Sequence, residues 1–189
     1  MFTRRRLLAS ATAAVALPGI TQAQTKQPFV LAPEFEPQFV SIKKEFLPGQ
    51  ILILPRSHFL YFVVEERKAI RYGIGVGKAG LEFTGQATID VKKEWPTWRP
   101  TDEMIERNPK LYGKFKDNLD AMPGGPENPL GARALYLFQN GKDTYFRIHG
   151  TTQPESIGQS VSNGCIRMIN SHVVHLYDQV PIGTVVTVL

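Results

Sequence analysis

From residue 51 onward the chain is written in short apolar runs rich in β-branched and aromatic residues, and no other feature constrains the fold as much. Residues 51–54, 59–64 and 69–76 follow one another, separated by Pro55-Arg56-Ser57 and Glu65-Glu66-Arg67-Lys68. This spacing predicts a meander of antiparallel strands. Further strands are expected over residues 87–91, 134–138, 144–149 and 184–189. A series of short strands with turns between them reads as a mainly β sandwich or partly closed barrel. Helix signal is confined to residues 101–121, interrupted by Pro109, and to residues 171–180 behind a cap at Asn170. In the second helix Val173, Val174, Leu176, Tyr177 and Val180 form one apolar face. Residues 24–48, punctuated by prolines, read as an extended lead-in. Residues 119–132 mix proline and glycine, as a structured loop bordering a site does.

The first 23 residues carry a different pattern. Arg4, Arg5 and Arg6 precede an apolar, Ala-rich stretch over residues 7–20, and Thr21-Gln22-Ala23 supplies a small-residue site. This is the layout of a secretory signal peptide, and Thr3-Arg4-Arg5-Arg6-Leu7-Leu8 resembles a twin-arginine signal. The apolar stretch, broken by Ser10, Thr12 and Pro18, falls short of the ~20 residues a membrane span needs, so no stable span is expected after cleavage. Cleavage after Ala23 removes three arginines and takes the formal charge from +5 to +2. The basic excess belongs mostly to the signal, and no later Lys/Arg run supports a nucleic-acid partner.

The chain holds a single cysteine, which excludes internal disulfides and multi-cysteine metal sites. In an exported protein an unpaired thiol points toward chemistry. The segment from His149 to Arg167, HGTTQPESIGQSVSNGCIR, places that cysteine after a histidine at a strand end, with glycines beside both. A cysteine nucleophile acts as the thiolate and needs a neighbouring base to take its proton. A strand ending at His149 and a loop returning at Cys165 bring the two groups together. Gly164 permits the tight turn that leaves its own amide and that of Cys165 free to face an oxyanion. The bland alternative is a buried thiol in a turn, with an unrelated histidine.

Two other patterns carry less. Residues 75–80, GVGKAG, match G-x-G-x-x-G, but no helix signal follows, so a hairpin turn is expected rather than a dinucleotide site. His172 and His175 are spaced as a metal pair on a helix, yet no third ligand is nearby in sequence, and ordinary surface or half-buried histidines are the expectation.

The central segment closely resembles the catalytic signature of the L,D-transpeptidase (YkuD-type) family. The resemblance is carried by His149-Gly150, by Ser162-Asn163-Gly164-Cys165-Ile166-Arg167-Met168 and by Asn170. It extends to residues 84–89, similar to the family's Thr-Pro-x-Gly-x-Phe strand. Residues 95–100 with 128–131 resemble an ErfK-like periplasmic branch. Two departures stand out: Asn163 occupies a position where many relatives carry histidine, and the usual Thr-Pro near position 85 is absent.

The resemblance implies a β-sandwich-like mixed-sheet catalytic domain over residues 49–189, located in the periplasm and acting on peptidoglycan stem peptides without a metal or cofactor. Cys165 would be the nucleophile and His149 the general base and acid, with the backbone carbonyl of Gly150 orienting the imidazole. Arg167 would hold a substrate carboxylate, or else form a structural salt bridge. Arg147, on the same strand face as His149, is a weaker substrate candidate, and Ser162 and Asn163 would shape the turn and contact the donor. Trp95, Trp98 and Tyr112 would line a groove or belong to the core. Donor D-alanine release followed by 3-3 cross-linking is the expected reaction. Hydrolysis, attachment or cleavage of an envelope lipoprotein, and non-catalytic wall binding are the alternatives.

Overall fold

The computed structural model describes residues 29–117 and 120–189; the signal segment lies outside the described residues. The fold is mainly β. Eleven strands are β1 (Gln38–Ser41), β2 (Ile51–Leu54), β3 (Phe59–Glu65), β4 (Lys68–Gly73), β5 (Val76–Gly77), β6 (Gly85–Glu94), β7 (Arg133–Gln139), β8 (Lys142–His149), β9 (Ser160–Ser162), β10 (Ile166–Arg167) and β11 (Val185–Val188). Nine form one mixed sheet in the order β1-β4-β3-β2-β11-β6-β7-β8-β10, and β5 pairs with β9 in a separate parallel ribbon.

The expected meander is present as β2-β3-β4, antiparallel throughout. It joins the rest of the sheet through β11, which runs parallel to β2 and antiparallel to β6. Register irregularities in the β3–β4, β6–β7 and β7–β8 pairs mark bulges, which bend strands and increase local twist. Both halves feed one core: Ile53, Leu60 and Tyr72 from the meander share it with Ile89, Leu135, Leu137 and Ile148. Truncating a fully buried Leu135 or Leu137 to alanine costs about 2–5 kcal/mol.

The helix α3 spans Asn170–Gln179, packs on β7 and β8, and buries His172, Val173 and Leu176. Its first turn departs from the sequence expectation. Ile169 is the cap residue and makes no side-chain cap bond, while Asn170 lies inside the helix with its amide turned to other work. At the other end Lys92 Nζ donates to the carbonyls of Tyr177 and Val180 at 2.6 and 2.7 Å, a distant cation placed where the helix leaves acceptors unpaired.

The helix expected over residues 101–121 is in fact α1 (Asp102–Arg107), α2 (Pro109–Tyr112) and a 3₁₀ turn at Gly113–Phe115. Asn108 cannot remain helical before Pro109, and its side chain instead accepts from the Leu111 N–H and starts a new helix. The lead-in is also more structured than expected. It contains a 3₁₀ turn, Pro33–Phe35, and the edge strand β1 on β4. Phe35 packs where a side chain on Gly73 or Gly158 would otherwise stand, which fastens the lead-in to the meander and to the loop before Cys165.

Among the described residues no helix is long and apolar enough to cross a membrane.

Candidate active site

Strands β8 and β10 are parallel neighbours, with Ile166 opposite Ile148 and Arg167 opposite His149. Side chains alternate along a strand and facing residues of a parallel pair share a side. Ile148 and Ile166 are buried in the core, so Arg147, His149, Cys165 and Arg167 belong to the opposite face. The fold therefore gathers the histidine, the cysteine and two arginines on one strand pair.

His149 is almost fully buried, and its Nδ1 is hydrogen-bonded to the Gly150 carbonyl. A carbonyl only accepts, so Nδ1 carries the proton and Nε2 keeps its lone pair. Burial pushes the imidazole down to about 4, outweighing the support that the Gly150 and Leu130 carbonyls give the cation; Arg167 and Arg147 push it in the same direction as burial. At neutral pH the ring is a neutral base.

Cys165 is half-buried. Burial raises its thiol above the ordinary value, opposed by a backbone hydrogen bond from Arg147 and by the charges of Arg147 and Arg167. Its Sγ–H donates to the Tyr145 carbonyl at 3.8 Å. The resting pair is thus a neutral thiol and a neutral imidazole.

The turn before the thiol is organised by Ser162, which is buried. Its Oγ donates to the Cys165 carbonyl at 2.6 Å and accepts from the Gly164 N–H at 3.1 Å. This corrects the expectation of two free amides. Gly164 spends its N–H inside the turn. Gly164 itself has φ +124°, and a Cβ there would stand 2.6 Å from the Leu81 carbonyl and from the Phe146 ring. Only glycine fits both demands.

Asn163, exposed, accepts from Arg107 Nη1 at 3.0 Å and so ties α1 to the catalytic turn. Arg167 donates to the neutral Gln153 side chain at 2.9 Å, and among the described residues it forms no ion pair. The structural salt bridge that was the alternative is therefore not formed among the described residues. Arg147 is different: its guanidinium holds both Asp143 oxygens at 2.7 Å and stacks 4.0 Å from the Tyr136 ring centroid. Its influence on the sulfur is through charge and backbone.

Trp98 meets Tyr112 and Phe115 edge-on, in a small aromatic cluster beside α2, while Trp95 is exposed with φ +41°. His172 and His175 each engage a different hydrogen-bonding partner. His172 Nε2 faces Glu36 at 3.2 Å, and His175 Nδ1 faces the Tyr72 hydroxyl at 2.8 Å.

Three segments named in the sequence support the site in ways the sequence did not reveal. Asn170 Oδ1 accepts from the N–H groups of Ala132 and Thr151, and its Nδ2 donates to the Thr151 carbonyl. It ties the backbone that follows Gly150 to the loop that leads into β7. Asn128, buried, folds the preceding loop by donating to Met122 and Pro123 carbonyls and accepting from Leu130 N–H. The glycines of residues 75–80 are not a hairpin turn. Gly75 bridges to Arg167, and Gly77 pairs with Ser162 so closely to Gly164 that a Cβ would stand 2.9 Å from the Gly164 Cα. Two glycines flanking one strand residue were the available signal, since they mark close backbone approach.

Similarity to known proteins agrees with this arrangement. The probable L,D-transpeptidase ErfK/SrfK of Escherichia coli strain K12 is 32% identical over 156 residues, covering 81% of this chain and 47% of that protein. The chain spans about half the length of several curated relatives it matches. A crystal structure from Brucella melitensis, described as a probable carnitine operon oxidoreductase, is 58% identical over 82% of this chain and 93% of that one, with a TM-score of 0.56. In the present chain residues 75–80 open no helix, so they form no dinucleotide cradle. An L,D-transpeptidase from Mycobacterium smegmatis shares the fold at TM-score 0.54 and 16% identity, covering 74% of this chain and 58% of that one. The model of the YkuD family, L,D-transpeptidase catalytic domain, matches residues 48–188. That match takes in every strand from β2 to β11, and the chain belongs to the YkuD family of L,D-transpeptidase catalytic domains.

Proposed function

We propose that the protein is an exported, periplasmic cysteine acyltransferase that cross-links peptidoglycan tetrapeptide stems. The observation that carries this reading is the bond between His149 Nδ1 and the Gly150 carbonyl. It fixes the tautomer whose free Nε2 can act as a base, beside the strand that carries the thiol.

Cys165 attacks the carbonyl of the L,D bond between the third residue and the terminal D-alanine of the donor. His149 takes the thiol proton, and the Cys165 N–H faces the developing oxyanion. When the tetrahedral intermediate collapses, the C–N bond breaks, the proton passes from His149 to the leaving amine, and D-alanine departs. The thioester then meets the amine of a second stem; His149 accepts that amine's proton, the C–S bond breaks, and a 3-3 cross-link forms. Arg167, facing neutral Gln153, is the group for a stem carboxylate. Ser162 and Gly164 hold the turn, Asn163 tethers α1 to it, and Arg147 adds positive potential beside the sulfur.

Incubating the mature protein with purified disaccharide-tetrapeptide, followed by mass analysis, tests this. Dimers lacking one D-alanine are expected, and Cys165→Ser should reduce them at least about 10⁴-fold. Tripeptide monomers alone would identify a hydrolase, and modification of an added lipoprotein lysine would identify an anchoring enzyme. Unchanged product from the Cys165→Ser protein would refute the nucleophile.

A further inference from the structure

The half of β8 that precedes His149 is irregular in a way the reaction above does not use. Register shifts where β8 pairs with β7, between Tyr136 and Phe138. Tyr145, opposite that irregularity, has φ +61°, a left-handed conformation costly for an aromatic residue and one that the surroundings must enforce. Asp143 is what enforces it: its Oδ1 accepts from the Tyr145 N–H at 2.7 Å. Thr144 adds a second brace, donating to the Leu137 carbonyl at 2.6 Å and accepting from the Phe146 N–H at 3.2 Å.

The bulge built in this way ends on the nucleophile. The Tyr145 carbonyl accepts from Cys165 Sγ–H, and the Arg147 backbone supports the deprotonated sulfur. The same Asp143 carboxylate holds the Arg147 guanidinium through both nitrogens. One side chain thereby sets the backbone cradle of the thiol and the charge behind it.

We propose that Asp143 is a positioning residue for Cys165, folding the β8 bulge that cradles the sulfur and tempering the Arg147 charge behind it. This rests on the reading of Cys165 as the nucleophile. The charged groups acting on the sulfur are Arg147 and Asp143 of β8 and Arg167 of β10, with the neutral His149 on the same face of the strand pair. With Asp143 neutralised, the two arginines remain and neither is an anion, so the thiolate forms more readily.

Two variants separate the two effects. Asp143→Asn keeps an oxygen for the Tyr145 N–H but drops the charge; Asp143→Ala drops both. Alkylation of Cys165 by iodoacetamide is followed by intact mass from pH 5 to 10, beside donor acylation kinetics. The Asp143→Asn midpoint is expected below that of wild type. Asp143→Ala is expected to lower kcat about tenfold with the donor KM unchanged, since the thiol is misplaced while the groove is intact.

A wild-type midpoint in Asp143→Asn would overturn the proposal, and so would an Asp143→Ala protein that melts earlier but keeps wild-type kcat. If Asp143→Ala does not fold, the midpoint of Asp143→Asn decides alone. A wild-type thiol that neither alkylates nor acylates would overturn the acyl-enzyme reading itself, an outcome visible before any Asp143 variant is made.

Discussion

His149 ends β8 and Cys165 directly precedes its parallel neighbour β10, yet the two are held in opposite ways. The histidine closes a long strand, is buried, and is fixed by amides of distant residues: Asn170 ties Thr151, next to Gly150, to Ala132 before β7, and Asn128 folds the loop that Asn170 grips. The cysteine comes just before a two-residue strand, is half-buried, and is held by its own turn through Ser162 and Gly164 and by the bulge in β8. The histidine is seated in the fold, whereas the cysteine is seated in local backbone. In the proposed reaction the base keeps one tautomer throughout the cycle, while the nucleophile moves onto a carbonyl and back, and the two forms of support match those tasks.

The largest effect that tests this contrast is removal of the clamp on the histidine side. Asn170→Ala orphans the Ala132 and Thr151 N–H groups and the Thr151 carbonyl, and unpaired buried groups cost about 1–3 kcal/mol each. A loss of about 4 kcal/mol is expected in urea unfolding, together with reduced kcat. Retention of wild-type stability would place the rigidity of the seat elsewhere.

Acid titration probes the same seat. His149 titrates near 4 in the native state against an ordinary value near 6.5, so above pH 6.5 both states are neutral and the group contributes nothing. As pH falls toward 4 the unfolded chain gains a proton that the native state refuses, and about 3 kcal/mol of stability is lost from this residue. The acid limb of donor acylation should accordingly lie near 4 to 5. A limb centred near 6.5 would mean that the base is solvated and not seated.

The smallest of these effects belongs to the cysteine side. Gly164→Ala meets both an unfavourable φ and the Leu81 carbonyl, at about 2 kcal/mol. Because the damage is confined to the turn, acylation should slow while the pH of its acid limb stays put. A shifted limb would show that the turn and the histidine seat are one unit.

How much of this was written in the sequence follows the same division. Strands announced themselves because β-branched and aromatic runs bounded by turn residues are a local signal, and α3 did so through its apolar face. The histidine, the cysteine and the glycine between them and the turn were legible as a motif. The roles of Asn170 and Asp143 were not, because each is set by partners from elsewhere: Asn170 read as a helix cap until Ala132 and Thr151 claimed its amide. Gly75 and Gly77 read as a turn for the same reason, since their partners Arg167 and Ser162 lie far along the chain. The freedom expected of the Gly164 amide failed locally, because Ser162 folds back onto its own turn.

The position of β11 carries a consequence for how the molecule is made. The last strand of the sequence occupies the middle of the sheet, between β2 and β6. A chain emerging from the ribosome can fold β2-β3-β4 and β6-β7-β8 as separate hairpin assemblies, but each keeps a bare edge until β11 arrives to zip them together. Such late, long-range pairing makes folding slow and leaves sticky intermediates in the interval. The residues of the site are thus made well before the strand that completes the sheet.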